Sequence, residues 1–271
     1  MQSSYLLYKT SKIHYRYNGG ADKLLICLHG YDESSESFEF LAEELPAFSI
    51  LAIDLPFHGL TEWNEGLDFA LDDVDEIIQK IKQEHFPGIQ KFSFLGFSMG
   101  GRIALGMLEK RPSEIEKAVL LAPDGIRMNF WYWLATQTSA GNRLFRFSVA
   151  NPAWILGTLK LGNKLGIINQ SVYKFTGYYL HDKGNRQKLY TRWTGMRKIK
   201  PDISNIKQTI KSGGLSVSLV YGEYDRIIRH ERGKKLRDGI EAHCSLHIIP
   251  TGHQVLQKKN VSIIVELVNS Q

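Results

Sequence analysis

The chain has 271 residues, a hydrophobic content of 43% and a net charge of +6, which suit one globular domain, or one with an insertion. No apolar run reaches the length of about 18 residues that a membrane-spanning helix needs, and the N-terminus lacks the apolar core of a signal peptide. Cys27 and Cys244 lie within apolar strand-like runs, which indicates reduced core thiols and a cytoplasmic protein. No Cys/His spacing suits zinc, and we expect neither a metal nor a cofactor.

The charge is distributed unevenly along the chain. Residues 1–125 carry 11 Lys/Arg and 20 Asp/Glu, a balance of −9. Residues 126–211 carry 15 Lys/Arg and only two acids, a balance of +13, and residues 212–271 carry 8 and 6. The middle segment is therefore strongly basic, unlike the segments on either side of it. Its charge can attract phosphates, but no recognition motif accompanies it, and we expect no nucleic-acid partner.

Apolar runs of strand length alternate with helical patterns outside that middle segment. In chain order, strands are predicted at residues 5–9, 13–17, 24–28, 50–53, 92–95, 118–121, 215–221 and 245–249. Helices are predicted at residues 34–45, 68–85, from Met99 onward, at 229–240 and at 254–268. Most of these strands are apolar throughout, so we expect an α/β fold with a doubly wound, mostly parallel sheet. The ligand site of such a sheet lies at the C-terminal strand ends.

The middle segment predicts a helical insertion in this core. It contains no convincing strand pair. Five of its stretches have helical character: FWYWLATQTSA, NRLFRFSVA, AWILGTLKL, VYKFTGYYL and RQKLYTRWTGM. The prediction is a core domain of residues 1–125 and 212–271 with a lid of residues 126–211. An insertion that leaves after one strand and returns before the next is expected to lie over the strand ends.

The composition of the lid suggests how it is oriented. Its cations cannot be buried without partners, so we expect them to face solvent or the acidic core. Its apolar sides are then expected to face inward and to form a substrate pocket together with His29; the aromatic residues assigned to that pocket are Trp131, Trp133, Trp154 and Trp193. A basic, Trp-rich surface also makes an anionic membrane a candidate partner. The alternative is that the lid's charge only complements the acidic core. The sequence does not indicate an oligomeric state.

The stretch Gly96-Phe97-Ser98-Met99-Gly100 lies between a predicted buried strand and a predicted helix. A serine flanked by glycines at such a junction occupies a tight turn, which holds its hydroxyl above the sheet. The next backbone N–H, that of Met99, then points at the reacting oxygen from the helix N-terminus. The pattern predicts a nucleophilic serine, although a strand-turn-helix without catalytic function shares it.

Two strand ends after the lid carry the partners that such a serine needs. One strand ends in Gly-Glu-Tyr-Asp at Asp225, and the next in Gly-His at His253. An imidazole accepts the serine proton during attack, and a carboxylate fixes the imidazole tautomer. The order Ser98, Asp225, His253 is that of hydrolases built on a doubly wound sheet. Asp124 also follows a strand and is the alternative acid, with Asp225 favoured.

The sequence resembles α/β-hydrolase-fold proteins over essentially its whole length. The motifs that carry the resemblance are His29-Gly30-Tyr31, Asp54-Leu55-Pro56-Phe57-His58-Gly59, Gly96-Phe97-Ser98-Met99-Gly100, Gly222-Glu223-Tyr224-Asp225 and Gly252-His253. The resemblance implies a nucleophile at Ser98, an acid at Asp225, a base at His253 and an oxyanion hole from the N–H groups of Tyr31 and Met99. One departure is Phe57, where the family usually has glycine.

The chemistry expected from this site is acyl transfer to water from a small-molecule substrate, most simply a carboxylic ester. Thioesters, amides, lactones and carbon–carbon bonds of diketones remain open, since the same machinery cleaves them. Ser98-Met99-Gly100-Gly101-Arg102 and Leu28-His29-Gly30 together also resemble the 2-succinyl-6-hydroxy-2,4-cyclohexadiene-1-carboxylate synthases, lyases on the same fold. A ligand receptor that retains a slow triad is the other alternative.

Overall fold

A computed structural model of the chain describes residues 1–166, 177 and 180–270. These residues form two compact units. The first comprises residues 1–65, 69–127 and 198–271, and the second comprises residues 66–68 and 128–197. Among the described residues, no helix has both the length and the apolar character needed to cross a membrane.

The first unit is built on one eight-stranded sheet. Its strands are β1 (Gln2–Tyr8), β2 (Ser11–Asn18), β3 (Lys23–Leu28), β4 (Phe48–Ile53), β5 (Phe92–Phe97), β6 (Ile115–Leu121), β7 (Ser216–Gly222) and β8 (Cys244–Ile249). Their spatial order is β1-β2-β4-β3-β5-β6-β7-β8. The first two strands form the predicted hairpin, and β2 pairs antiparallel with β4. All other neighbours are parallel, which confirms the predicted mostly parallel α/β sheet.

The parallel strands bring their carboxyl ends to one edge. In register, Leu28 at the end of β3 pairs with Gly96 near the end of β5. Gly222 at the end of β7 pairs with Ile249 at the end of β8. Strands β4 and β5 are buried along their whole length, because helices of the same unit cover both faces of the sheet. The loops that follow β3, β5, β7 and β8 therefore emerge close together.

The helices of the first unit complete this core. They are α1 (Leu41–Glu44), α2 (Leu71–His85), α3 (Met99–Lys110), α8 (Ile203–Gly213), α9 (Glu231–Arg237) and α10 (Val261–Asn269). Two predicted helices are each divided in the structure into a 3₁₀ turn and a shorter α-helix. Residues 34–45 form a 3₁₀ turn (Ser35–Phe38) and the single turn α1, and residues 254–268 form a 3₁₀ turn (Lys258–Asn260) followed by α10. Near the start of each segment a residue bonds to a loop of the site: the Ser35 N–H donates to Asp54 Oδ1 over 2.6 Å, and the Gln254 side chain donates to Glu33.

The second unit is helical. Its described helices are α4 (Phe130–Gln137), α5 (Ser139–Ala150), α6 (Ala153–Lys164) and α7 (Lys183–Gly195). Side-chain caps start three of them: Asn129 accepts from the Trp131 N–H, Thr138 from the Gly141 N–H and Asp182 from the Asn185 N–H. These four helices match four of the five predicted stretches. The fifth, VYKFTGYYL, lies almost wholly outside the described residues.

The boundary of the second unit differs from the predicted lid of residues 126–211. Helix α8, predicted within the insertion, belongs to the first unit. Its residues Ile206 and Ile210 are fully buried, and the Asn205 side chain donates to Glu109 on α3 over 2.7 Å. An amphipathic helix with this apolar face is stabilised by packing on the sheet unit. That the second unit acts as a lid remains a prediction.

Candidate active site

Ser98 occupies a strained turn between β5 and α3. Its backbone angle φ is +49°, which a non-glycine residue rarely adopts. Three backbone hydrogen bonds hold it: its N–H donates to Leu121 O over 2.9 Å, and its carbonyl accepts from the N–H groups of Arg102 and Asp124. The surrounding structure thus fixes an otherwise unfavourable conformation. This is the local geometry predicted for a nucleophilic serine.

The glycines around Ser98 allow close approach of neighbouring backbone. A Cβ atom at Gly100 would lie 1.9 Å from the carbonyl oxygen of Leu28, and one at Gly96 would lie 2.8 Å from Gly101 Cα. Neither distance is sterically allowed. Gly100 is therefore required because the end of β3 packs directly on the start of α3, and Gly96 because the first turn of α3 lies against it.

A continuous chain of hydrogen bonds joins Ser98 to His253 and Asp225. His253 Nε2 lies 3.1 Å from Ser98 Oγ, and His253 Nδ1 lies 2.7 Å from Asp225 Oδ2. The other oxygen, Asp225 Oδ1, accepts from the N–H groups of Ile227 and Ile228 at 2.7 and 2.9 Å. The carboxylate is therefore anchored before it reaches the imidazole. The proton on Nδ1 donates to the carboxylate, which leaves Nε2 to accept from the serine hydroxyl.

The charge state of Asp225 follows from the same contacts. Burial acts to raise its pKa, but the hydrogen bonds from His253, Ile228 and Ile227 outweigh burial, and the pKa of Asp225 lies below its ordinary value. The Asp225 side chain is fully buried. Asp225 is thus ionised at neutral pH. An ionised carboxylate orients the imidazole ring and stabilises its protonated form, the imidazolium.

The alternative acid, Asp124, lies elsewhere in the site. Its carboxylate forms an ion pair with the Arg102 side chain, and its backbone N–H donates to the Ser98 carbonyl over 2.9 Å. Burial acts to raise the pKa of Asp124, but the charge and hydrogen bond of Arg102 lower it below its ordinary value. The structure therefore joins Asp225 to His253 and gives Asp124 a contact with the serine turn.

The two predicted oxyanion donors follow neighbouring strand ends. Met99 begins helix α3, where the first N–H groups have no partner within the helix. Tyr31 follows Gly30 on the loop after β3. Since Leu28 pairs with Gly96 and the β3 loop packs on Gly100, the two backbone segments lie side by side. Their role in binding an oxyanion remains a prediction.

The structure corrects the expectation for His29. Its side chain is fully buried. His29 Nδ1 lies 2.8 Å from Gly30 O, and Nε2 accepts from the Leu55 N–H over 3.0 Å. A side chain without exposed surface cannot line a pocket. His29 instead fixes the loop after β3 against the loop after β4.

The departure at Phe57 has a structural consequence. Phe57 has φ of +67°, in the left-handed region that favours glycine. The same loop is held by Asp54, whose carboxylate accepts from the Ser35 N–H at 2.6 Å, the Leu60 N–H at 2.8 Å and His14 Nδ1 at 2.7 Å. The loop therefore keeps the turn conformation although glycine is absent.

One residue near His253 carries no signal in the sequence pattern. Glu33, on the loop after β3, accepts from the Gly30 N–H over 3.2 Å and from the side-chain amide of Gln254. It thereby links the predicted oxyanion loop to the loop of the histidine. Burial raises the pKa of Glu33 above its ordinary value, although hydrogen bonds and the nearby His253 oppose this shift. Only the tertiary structure brings these loops together.

The four tryptophans assigned to a pocket do not share one environment. Trp193 packs in an aromatic cluster of the second unit, with ring centroids 5.3 Å from Tyr132 and 5.8 Å from Phe145. The other three are exposed, at 69% for Trp131, 44% for Trp133 and 41% for Trp154. Because Tyr132 takes the inward side of α4, its neighbours in sequence project away from it. Trp193 therefore lies in the aromatic core of the second unit, whereas Trp131, Trp133 and Trp154 are exposed. That the four line a substrate pocket stays a prediction.

Among the described residues, no group of three or more His, Cys, Asp or Glu side chains is arranged to hold a metal ion. The two cysteines, Cys27 and Cys244, are buried and free. Burial raises the pKa of both thiols, as predicted for reduced core residues.

Several known proteins are similar in sequence to part or most of this chain. The uncharacterized hydrolase YugF of Bacillus subtilis is 24% identical over 90% of this chain and 88% of its own length. The pimeloyl-[acyl-carrier protein] methyl ester esterase of Nitrosomonas europaea is 30% identical over 45% of this chain and 46% of its own. A putative 2-succinyl-6-hydroxy-2,4-cyclohexadiene-1-carboxylate synthase of Bacillus subtilis is 31% identical over 37% of this chain and 36% of its own.

The fold is shared with solved structures at lower identity. The structure of a carboxylesterase of the thaumarchaeon Nitrososphaera gargenis covers 98% of this chain and 97% of its own, with a TM-score of 0.69 and 13% identity. The sequence profile described as alpha/beta hydrolase fold matches residues 23–258, which include every motif from the loop after β3 to His253. The chain therefore belongs to the alpha/beta hydrolase fold family.

Proposed function

We propose that this alpha/beta hydrolase cleaves a carboxylic ester or a related acyl bond through Ser98, His253 and Asp225. The observation that carries the proposal is the unbroken hydrogen-bonded chain from Ser98 Oγ through His253 to Asp225. A serine at its ordinary pKa is a poor nucleophile, and such a chain is the arrangement that activates it.

The reaction proceeds in two halves. Ser98 Oγ attacks the acyl carbon while its proton passes to His253 Nε2, and the carbonyl oxygen becomes an oxyanion. The bond to the leaving oxygen then breaks, and His253 returns the proton to that oxygen, which leaves an acyl group on Ser98. Water repeats the sequence, with His253 as base, and releases the acid. The buried, ionised Asp225 stabilises the imidazolium in both halves.

The N–H groups of Tyr31 and Met99 supply the oxyanion hole in this proposal. Fixed dipoles aimed at the developing charge contribute about 3–4 kcal/mol per donor to the transition state. The position of Met99 at the start of α3 supports its part, because the helix N-terminus adds positive potential. The bonds that fix the β3 loop through His29 and Glu33 support the part of Tyr31.

A screen of chromogenic esters with graded acyl chains, run alongside matched thioesters, tests this proposal. We expect multiple turnovers on at least one series, and a serine-directed phosphonate is expected to label Ser98 and abolish them. The matched control is Ser212→Ala, which removes an exposed hydroxyl on α8 and should leave labelling unchanged. Labelling of another residue, or turnover that survives the phosphonate, would contradict the triad assignment.

The lyase and receptor alternatives give different outcomes in the same samples. The motif Ser98 to Arg102 and the partial match to the synthases favour the lyase, but Arg102 is 9% exposed and paired with Asp124. Formation of the cyclohexadiene carboxylate named for those relatives, without ester turnover, would establish the lyase. A single burst of product without repeated release would establish the receptor.

A further inference from the structure

The second unit exposes large apolar side chains to an unusual extent. Of the 15 large hydrophobic residues exposed among the described residues, nine lie between residues 128 and 165: Met128, Phe130, Trp131, Trp133, Leu144, Phe147, Trp154, Leu161 and Leu165. Scattered exposed hydrophobics are ordinary, but a concentration of them in one small unit marks an interaction surface.

In α5 the exposed apolar residues form one stripe. Leu144 and Phe147 are 53% and 55% exposed and lie on the same side of the helix as Arg143. The opposite side belongs to the core of the unit, where Phe145 packs 5.3 Å from the Tyr190 ring. Because α5 already has a core-facing side, the exposed stripe is not needed to hold it in the unit.

Helix α6 repeats this arrangement. None of its residues is buried. Leu161 is 57% exposed, and Leu165, which lies just after the helix, is 62% exposed. These two residues follow Trp154 by seven and eleven positions, which places all three on one side of the helix. Lys160 and Lys164 flank the stripe and are themselves exposed. An exposed apolar stripe bordered by lysines is the pattern of a helix that lies in a membrane interface.

The charges on this part of the chain all have one sign. The sequence contains no Asp or Glu between Asp124 and Asp182, so Arg143, Arg146, Lys160 and Lys164 have no acidic residue near them along the chain. Anionic lipid headgroups attract such cations at about 1 kcal/mol each, while Trp, Phe and Leu side chains on the apolar face of a helix insert into the membrane interface. Charge and apolar area thus favour the same partner.

We propose that the exposed sides of α5 and α6, here called the α5–α6 stripes, dock onto an anionic membrane surface. The stripes consist of Leu144, Phe147, Trp154, Leu161 and Leu165 with Arg143, Arg146, Lys160 and Lys164. The apolar side chains enter the headgroup region and the cations bind phosphate or carboxylate groups of the lipids. This binding is independent of hydrolysis, so it is retained when Ser98 is replaced by alanine.

The test is co-sedimentation of the full chain with vesicles of phosphatidylcholine, with and without phosphatidylglycerol. We expect binding to the anionic vesicles at low salt, and weaker binding at high salt, because exposed charges act within a Debye length of about 10 Å at 0.1 M. Lys160→Gln/Lys164→Gln should weaken partitioning about 20- to 30-fold. Leu144→Ser/Leu161→Ser should weaken it by about tenfold or more. Far-UV circular dichroism and thermal melting check that each variant is folded.

The matched controls lie on the first unit. Lys234→Gln/Lys235→Gln removes the same charge from exposed positions of α9, and Leu7→Ser removes an apolar side chain that is 78% exposed. Both should bind like the wild type. Equal losses in controls and stripe variants, or equal binding to phosphatidylcholine alone, would overturn the proposal. Binding to a poly-glutamate surface without vesicle binding would also overturn it and would indicate an acidic protein partner. Concentration-dependent self-association that the stripe variants abolish would overturn it as well and would indicate a second copy of the chain.

Discussion

Asp225 Oδ2 lies 2.7 Å from Nδ1 of His253. The second candidate acid, Asp124, forms an ion pair with Arg102 and donates its N–H to the Ser98 carbonyl. Each carboxylate thus has its own partner, and the two residues act on the site differently. Asp225 orients the His253 imidazole, whereas the Asp124 N–H helps to hold the turn that carries Ser98.

Replacing each acid by asparagine separates these roles. Asp225→Asn should lower kcat about 10⁴-fold, because the amide donates to Nδ1 and selects the wrong tautomer. Asp124→Asn should cost much less, since its backbone N–H and the turn are retained. Steady-state kinetics on the preferred ester measures both. The reverse ranking would transfer the acid role to Asp124.

The contact between Gly100 and Leu28 predicts a steric effect. Gly100→Ala places a methyl group 1.9 Å from the Leu28 carbonyl oxygen, so backbone must move. We expect a loss of about 1–3 kcal/mol in the free energy of unfolding and at least about a 100-fold loss in kcat/KM, because small displacements of a nucleophile are costly. Gly88→Ala is the control, since a Cβ there meets nothing within 4 Å. Similar effects at both glycines would refute this interpretation.

Glu33 is expected to influence activity and stability in opposite directions. Its pKa is raised by burial, so the ionised side chain destabilises the fold above that pKa, and Glu33→Gln should be more stable than the wild type at neutral pH. The same change removes a negative charge near His253 and leaves one acceptor oxygen for the two donors, the Gly30 N–H and the Gln254 amide. We expect a lower kcat and an acidic limb of the pH–rate profile that moves to lower pH. Gln254→Leu, which breaks only the link between the loops, should lower kcat without moving that limb.

Asp225 also makes a defined contribution to acid stability. Because its pKa is lower in the folded chain than its ordinary value of about 3.9, it stabilises the fold fully above that value. The stabilisation is lost as pH falls through the folded pKa. The difference in unfolding free energy between wild type and Asp225→Asn, measured by urea titration from pH 7 to pH 2, should therefore shrink only below about pH 4. A constant difference across this range would show that the carboxylate is not stabilised in its ionised form.

The two environments of the tryptophans predict unequal costs of truncation. Trp193→Ala removes a ring from the aromatic cluster with Tyr132 and Phe145 and should cost about 2–3 kcal/mol. Trp131→Ala removes a ring that is 69% exposed and should cost about 0.5 kcal/mol or less. Thermal unfolding monitored by circular dichroism measures both. Equal destabilisation would mean that Trp131 is buried in solution.

The sequence by itself determined the α/β architecture and the order of the candidate catalytic residues. Buried parallel strands are continuous apolar runs, and the motifs follow strand ends directly, so local pattern was enough to predict β5, the turn at Ser98 and the loops at Asp225 and His253. The hairpin of β1 and β2 and four helices of the second unit were predicted for the same reason: their periodicity is local.

Only the tertiary structure decided which of these residues meet. Whether Asp225 or Asp124 reaches the imidazole depends on loop geometry across separate strands. The link from Glu33 to Gln254 joins residues 221 positions apart, which no local pattern encodes. Burial of Ile206 and Ile210 assigns α8 to the sheet unit, and the inward position of Tyr132 exposes Trp131 and Trp133. Composition specifies that a segment is aromatic and basic, but the packing of neighbouring helices determines which of its side chains are buried and which face solvent.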